Sequence, residues 1–303
     1  MSVIPGVLGN AMLMEVDGPH FENVNKGSKS WAKLSNGPTY EWMEVETNIP
    51  PAGIEYITLE MNGSYNLGEI INIKGEHLNM LHDYRGLPGV HKLDSDPVYR
   101  YIIHLSSMES ATPGGEVLSG LVTLTNDNNI FSVKIAENAD VVDKDGVATA
   151  PYIKLHPWAT PSRESRRLVP IIKSQSLQNN ATGWFDHMNL PDGAGMHYRR
   201  LFIKGDIREV EIIQDDVRRF KAKADSNRVA QILAGREPQD GFFVVDFIRT
   251  GFALRDMFKP QNRKALALKM DMATADNITI LYEGVQALAK WQTENGEVVP
   301  GSN

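Results

Sequence analysis

The sequence predicts an all-β protein with a few short helices, organised as two β-sandwich domains in tandem. Three observations carry that prediction. Apolar and polar residues alternate over much of the chain, with the period of two that sends successive side chains to opposite faces of a strand. Clusters of turn formers separate these runs at regular intervals, as in sandwiches and barrels. The same order of elements also occurs twice, offset by roughly 150 residues, the size of one domain. The 303 residues accommodate two such units.

In the first half, Tyr40, Trp42 and Glu44 alternate with Glu41, Met43 and Val45, and Ile57, Leu59 and Met61 line one face of 54–61. A helix is expected over 76–85, where Leu78, Leu81 and Tyr84 share a face and Gly86 supplies a C-terminal stop. Strand 98–105 follows, with Tyr99, Tyr101, Ile103 and Leu105 on one side. Strands 117–125 and 130–136 are separated by Asn126-Asp127-Asn128-Asn129, which reads as a hairpin turn. The second half repeats this style. Leu201 and Ile203 form one apolar face, and Val210 and Ile212 another. A helix is expected from Asp215, with Val217, Phe220 and Ala224 on one face, a second cap at Asp225-Ser226 and a stop at Gly235. The run 242–248 is apolar on both faces apart from Asp246, as in a central strand. Leu266, Leu268, Met270 and Met272 then alternate with Lys269 and Asp271, and Ile278, Ile280 and Tyr282 with Thr279, Leu281 and Glu283.

These elements place one domain at 1–160 and the other at 184–303, with a frayed polar tail after 291. The segment 161–183 reads as a linker, because it combines Pro161, Pro170 and Gly183 with Arg163, Arg166, Arg167 and a polar run.

Composition narrows the function. A net charge of −7 argues against a general nucleic-acid binder. The absence of cysteine excludes disulfides, thiolate metal sites and cysteine nucleophiles. The first residues carry no Lys or Arg before their apolar stretch, which Pro5, Gly6, Gly9 and Asn10 interrupt, so synthesis in the cytoplasm is expected. No run reaches the ~18 apolar residues of a membrane-spanning helix.

No catalytic constellation stands out: phosphate-cradling loops, zinc-protease motifs and nucleophile elbows are missing from the sequence. His77 and His82 are out of phase for shared metal ligation on a helix. Together with His91, His104, His187 and His197 they read as solvated or locally hydrogen-bonded. The turn Asp140–Gly146 departs from a calcium loop at Val141 and Tyr152, leaving Asp143 and Asp145 as the calcium candidates in a turn otherwise explained by its Asp side chains. Arg163, Arg166 and Arg167 are candidates for contact with anionic lipid head groups, at about 1 kcal/mol per charge. Trp31, Trp42, Trp158 and Trp184 offer surfaces for sugar stacking, although buried aromatic packing is the favoured role for most of them.

A set of segments in shared order goes further. WFDHMNLP precedes a Tyr198-Arg199 strand, REVEIIQDD leads into a Lys/Arg- and Ala-bearing helix, and GFFVVDFI, FALRDMF, KALALKMDM and NITILYEG follow, ending near Trp291. At the start stand Ile4-Pro5, Gly9-Asn10, Thr39-Tyr40-Glu41 and IEYITLEMNG. In these segments the chain resembles the double-jelly-roll major capsid proteins of corticovirus-type phages, tailless icosahedral phages with an internal membrane, related to the tectivirus type. The resemblance implies two eight-stranded jelly rolls side by side and a non-enzymatic, homotrimeric, pseudo-hexagonal capsomer in the virion. It also implies neighbouring trimers, minor capsid and vertex (penton) proteins and the viral membrane as partners, with no specific nucleic-acid binding. No cofactor is expected, though calcium is possible because some relatives bind it. The alternative is a glycan-binding β-sandwich protein of a phage spike or lectin type.

Overall fold

Alternation along the strands sorts side chains between a buried interior and an outer face. In the computed structural model the described residues are 13–63, 67–87, 90–92, 98–106, 120–143, 145–161, 165–188, 190–191, 195–260, 265–293 and 298–300. The N-terminal half forms β1 (Met14–Glu15), β2 (Lys29–Lys33), β3 (Thr39–Thr47), β4 (Ile54–Asn62), β5 (Gly68–Ile73), helix α1 (Gly75–Asp83), β6 (Val90–Lys92), β7 (Tyr99–His104), β8 (Leu121–Val122), β9 (Asn128–Ile135) and β10 (Ile153–Thr160). The C-terminal half forms β11 (Ser165–Leu177), β12 (Gly183–His187), β13 (Met196–Lys204), β14 (Ile207–Gln214), β15 (Val217–Lys223), helix α2 (Ala224–Leu233), β16 (Phe242–Asp246), the short helix α3 (Ala253–Asp256), β17 (Leu266–Met272), β18 (Ile278–Thr293) and β19 (Val298–Pro300).

The two halves follow one path. In the N-terminal sandwich a sheet ordered β1-β10-β3-β7 lies across the core from β2-β9-β4-β5. In the C-terminal sandwich β11-β18-β13-β16 lies across from β12-β17-β14-β15. With the short strands β6 and β8 set aside, both halves have first, eighth, third and sixth strands in one sheet and second, seventh, fourth and fifth in the other. That is the jelly roll, two interlocked Greek keys. Helices α1 and α2 occupy the same position, after the fifth strand and before the sixth in that count. The inward rows are those the alternation marks: Met43 and Val45 on β3, Phe131, Val133 and Ile135 on β9, and Leu268, Met270 and Met272 on β17 are fully buried.

The sandwiches share a sheet. Strand β5 pairs in parallel with β11 at Ile71↔Ile172 and Asn72↔Lys173, which fuses one sheet of each half into the nine-stranded order β16-β13-β18-β11-β5-β4-β9-β2.

Four expectations are corrected. The segment 161–183 is not a linker: β11 pairs with β18 along its whole length, and the break between the halves lies between Thr160 and Ser165. Pro170 misleads because it pairs with Val285 of β18 and precedes the two residues where β11 meets β5, so its missing N–H interrupts no bond to β5. The helix does not begin at Asp215. Asp215 and Asp216 take positive φ (50° and 64°), the geometry of a tight hairpin, and 217–223 returns as β15 along β14. The turn 126–129 joins no hairpin, since β8 pairs with β3 while β9 lies between β2 and β4 in the other sheet. The chain after 291 is not a frayed tail throughout, because β18 runs to Thr293 and β19 pairs back on Lys290–Gln292.

Candidate functional site: the joint between the sandwiches and its outer faces

The most strongly organised group of polar side chains lies where α1 of the first sandwich meets the outer face of the second. Register creates it: Arg200 on β13 stands opposite Asp246 on β16 and Glu283 on β18, so three charges project from one face of the sheet. Arg200 Nε lies 3.2 Å from Asp246 Oδ2, and its Nη1 donates to Glu283 Oε2 at 3.1 Å. Arg85, just beyond α1, donates to Glu283 Oε1 at 3.3 Å, with Arg199 3.7 Å from the same oxygen. Arg236 approaches Asp246 at 3.5 Å, and the Tyr84 hydroxyl donates to Asp246 Oδ2 at 3.1 Å. Asp246 Oδ1 accepts the Ile248 N–H. Burial and the neighbouring Asp246 charge push the Tyr84 phenol far above its ordinary value, so it remains a donor.

Rings complete the contact. Tyr84 meets Phe202 edge-on at 5.4 Å, and His77 meets Phe242 edge-on at 6.3 Å. A second tie joins the halves at the start of β11. The Arg166 guanidinium grips Asp127 at 2.5 and 3.2 Å and donates to the Val122 carbonyl at 3.1 Å.

Chemically these are locks. A buried carboxylate hydrogen-bonded to guanidinium groups from separate elements is an effective pin for two packed surfaces. One sequence signal pointed here: Asp246 is the lone acid in an apolar strand, and a buried acid requires cations. The partners were not legible, because they come from positions 84–85, 199–200, 236 and 283.

The sequence candidates fall elsewhere. Arg166 is corrected as a lipid contact, since its side chain is fully buried on Asp127. Arg167 is exposed on the opposite face of β11, and Arg163 lies outside the described residues. Asp143 Oδ1 accepts the N–H groups of Asp145 and Val147, both at 2.9 Å, so it serves the turn. Among the described residues no group of three His, Asp or Glu side chains is placed to hold a metal ion.

Of the two readings of the histidines, solvated or locally hydrogen-bonded, the solvated one is corrected: most are interior, and the His82 ring meets the Arg85 guanidinium at 3.4 Å. His77, His82, His104 and His187 are buried, with the His82 and His104 rings 4.6 Å apart. His197 is half-buried, and the His91 side chain lies outside the described residues. Trp42 and Trp158 stack on each other at 5.2 Å, whereas Trp31 and Trp184 are exposed and lie on different sheets.

Comparison with known proteins decides the family. The family model for the N-terminal domain of viral coat protein P2 matches residues 16–159, and that for its C-terminal domain matches 169–288. The chain belongs to the viral coat protein P2 family. The gap between the two matched P2 segments contains the break at 160–165 seen in the sheets. Among solved structures, the major capsid protein P2 from bacteriophage PM2 superposes with a TM-score of 0.75 at 18% identity, covering 91% of this chain and 98% of that one. The PBCV-1 virus capsid gives 0.65 at 10% identity, covering 100% and 99%. The structure of Sulfolobus turreted icosahedral virus gives 0.61 at 12% identity, covering 91% and 90%. These likenesses establish a shared double jelly roll. Among curated proteins none matches by sequence.

Proposed function

We propose that this P2-family chain is a major capsid protein that works as a homotrimer. Three copies would set six jelly rolls in a pseudo-hexagonal tile, and tiles would cover the facets of an icosahedral shell around an internal membrane. The observation that carries this reading is the duplication itself. Two sandwiches of the same strand path, locked by a shared sheet and buried ion clusters, give one chain two similar edges from which a six-cornered outline can be built by threefold symmetry. Its role is then geometric, with no turnover. Interfaces in such a trimer need to bury on the order of 2,000 Å² or more. Further partners are neighbouring trimers, minor capsid and vertex proteins and the membrane surface, and the site of synthesis is the host cytoplasm.

Arg167 and Arg163 are the remaining candidates for head-group contact. Arg167→Glu should weaken binding of the assembled protein to anionic vesicles, and unchanged binding would remove Arg167 from the proposal. The oligomer is tested by sedimentation equilibrium of the purified chain. The expected mass is that of three chains, and a single-chain mass up to high protein concentration would refute the proposal.

A further inference from the structure

We propose that the exposed apolar side of α2 docks on the outer face of the N-terminal sandwich of a second copy of this chain, repeating between chains the contact that α1 makes within one. This rests on the self-assembly reading above and names the surfaces it uses.

Helix α2 is built inside out. The side chains it buries are Asn227 and Gln231, which both donate to the Val244 carbonyl of β16, at 2.7 and 3.0 Å. Its outward side carries Val229, Ile232 and Leu233, exposed by 56%, 61% and 84%. The spacing i, i+3, i+4 makes these a single stripe. A stripe of this kind turned to water marks an interaction site.

Helix α1 shows what such a helix does when its partner is present. It touches the sixth strand of its own sandwich through His82 and His104, as α2 touches β16. Its far side lies against the next sandwich in the chain, through Tyr84 on Phe202, His77 on Phe242 and Arg85 on Glu283. Helix α2 holds the equivalent place, yet among the described residues no further sandwich covers its stripe.

The surface that α1 covers is the outer face of β13, β16 and β18. Its equivalent in the first sandwich is the outer face of β3, β7 and β10, where Trp42 and Trp158 stack and Ile102 stands opposite Glu44. All three apolar side chains are half-exposed. Charge favours the match. Glu15, Glu44 and Glu46 rim this face and outnumber Arg100 and Lys154 there. The exposed row Arg218, Arg219, Lys221 and Lys223 of β15 runs directly into α2, with Arg218 and Lys221 paired to Glu211 and Glu209. Because helix and receiving face are different surfaces of one chain, the contact is head-to-tail, the kind that forms a ring where its rotation closes, and not a twofold pair.

The test uses the full chain. Val229→Glu/Ile232→Glu replaces only exposed side chains and should leave far-UV circular dichroism and the melting temperature unchanged. It should weaken association by about 30-fold or more, giving single chains by light scattering. Ile102→Glu should do the same from the other side. Mixing the two variants should restore a one-to-one dimer, because each brings one intact surface. A helix variant that keeps the wild-type mass, or a mixture of folded variants that stays as single chains, would overturn the inference while leaving self-assembly standing. If Ile102→Glu fails to fold, the mass of the helix variant decides alone. A wild-type chain that never associates would overturn the reading beneath it.

Discussion

Arg166 and Asp127 show how much depends on single buried charges in this molecule. Both side chains are essentially without solvent, so removing one leaves the other uncompensated. Arg166→Met should cost about 3–5 kcal/mol in chemical denaturation, and adding Asp127→Asn should recover part of that, since the stranded carboxylate is gone. A loss in the double variant equal to the sum of the losses of Arg166→Met and Asp127→Asn alone would show that the pair is not coupled. Histidines set the acid response. Burial holds His77, His187 and His197 below the ordinary value of 6.5; Lys204 and Lys74 add to this at His77, where Glu76 opposes it, and Lys259 adds at His197. Below pH 6.5 the unfolded chain takes up protons that the folded rings refuse. Stability present above that pH is therefore lost as pH falls through the lowered folded values. His77→Leu should make this loss shallower between pH 6.5 and about 5, measured as the melting temperature against pH, and an unchanged slope would contradict it. Residue-level function was poorly legible in sequence. Arg163, Arg166 and Arg167 look alike as a basic cluster, yet alternation along β11 buries Arg166 and exposes Arg167, a difference visible only once 165–177 is known to be a strand.

At the scale of elements, close approach of strands leaves no tolerance at Gly284 on β18. A Cβ there would sit 2.2 Å from the His197 carbonyl oxygen of β13, backbone that cannot move aside without opening the sheet. Gly284→Ala should cost about 1–3 kcal/mol, read from the denaturation midpoint, and an unchanged midpoint would mean that the strands lie farther apart than described. Strands of alternating chemistry were legible directly, as at Phe131, Val133 and Ile135, because Ser132 and Lys134 between them mark the other face. Misreadings have equally local causes. Val217, Phe220 and Ala224 fall at intervals of three and four by coincidence, and the positive φ of Asp215 and Asp216 turns that stretch into a hairpin. Strand β11 was concealed because a strand with little solvent on either face loses its alternation, and Pro170 then reads as a breaker.

For the whole molecule, the sequence carried the architecture further than any site. The repeated order of strands and helix announced two similar units, and the structure gives both the same strand path. The joint was not legible, because its charges lie up to 198 positions apart, as Arg85 and Glu283 do. With a sheet joined through the parallel β5–β11 pairing and two ion clusters crossing that joint, the halves should melt as one unit. Calorimetry of the unassociated helix variant should give a single transition whose calorimetric and van't Hoff enthalpies agree, and two separated transitions would refute the coupling. The central claim, that this chain is a tile whose two jelly rolls become six in the assembled particle, is tested most directly by electron microscopy of the purified protein. The expected particles have threefold symmetry and a six-lobed, hexagonal outline. Isolated two-lobed particles under all conditions would contradict it.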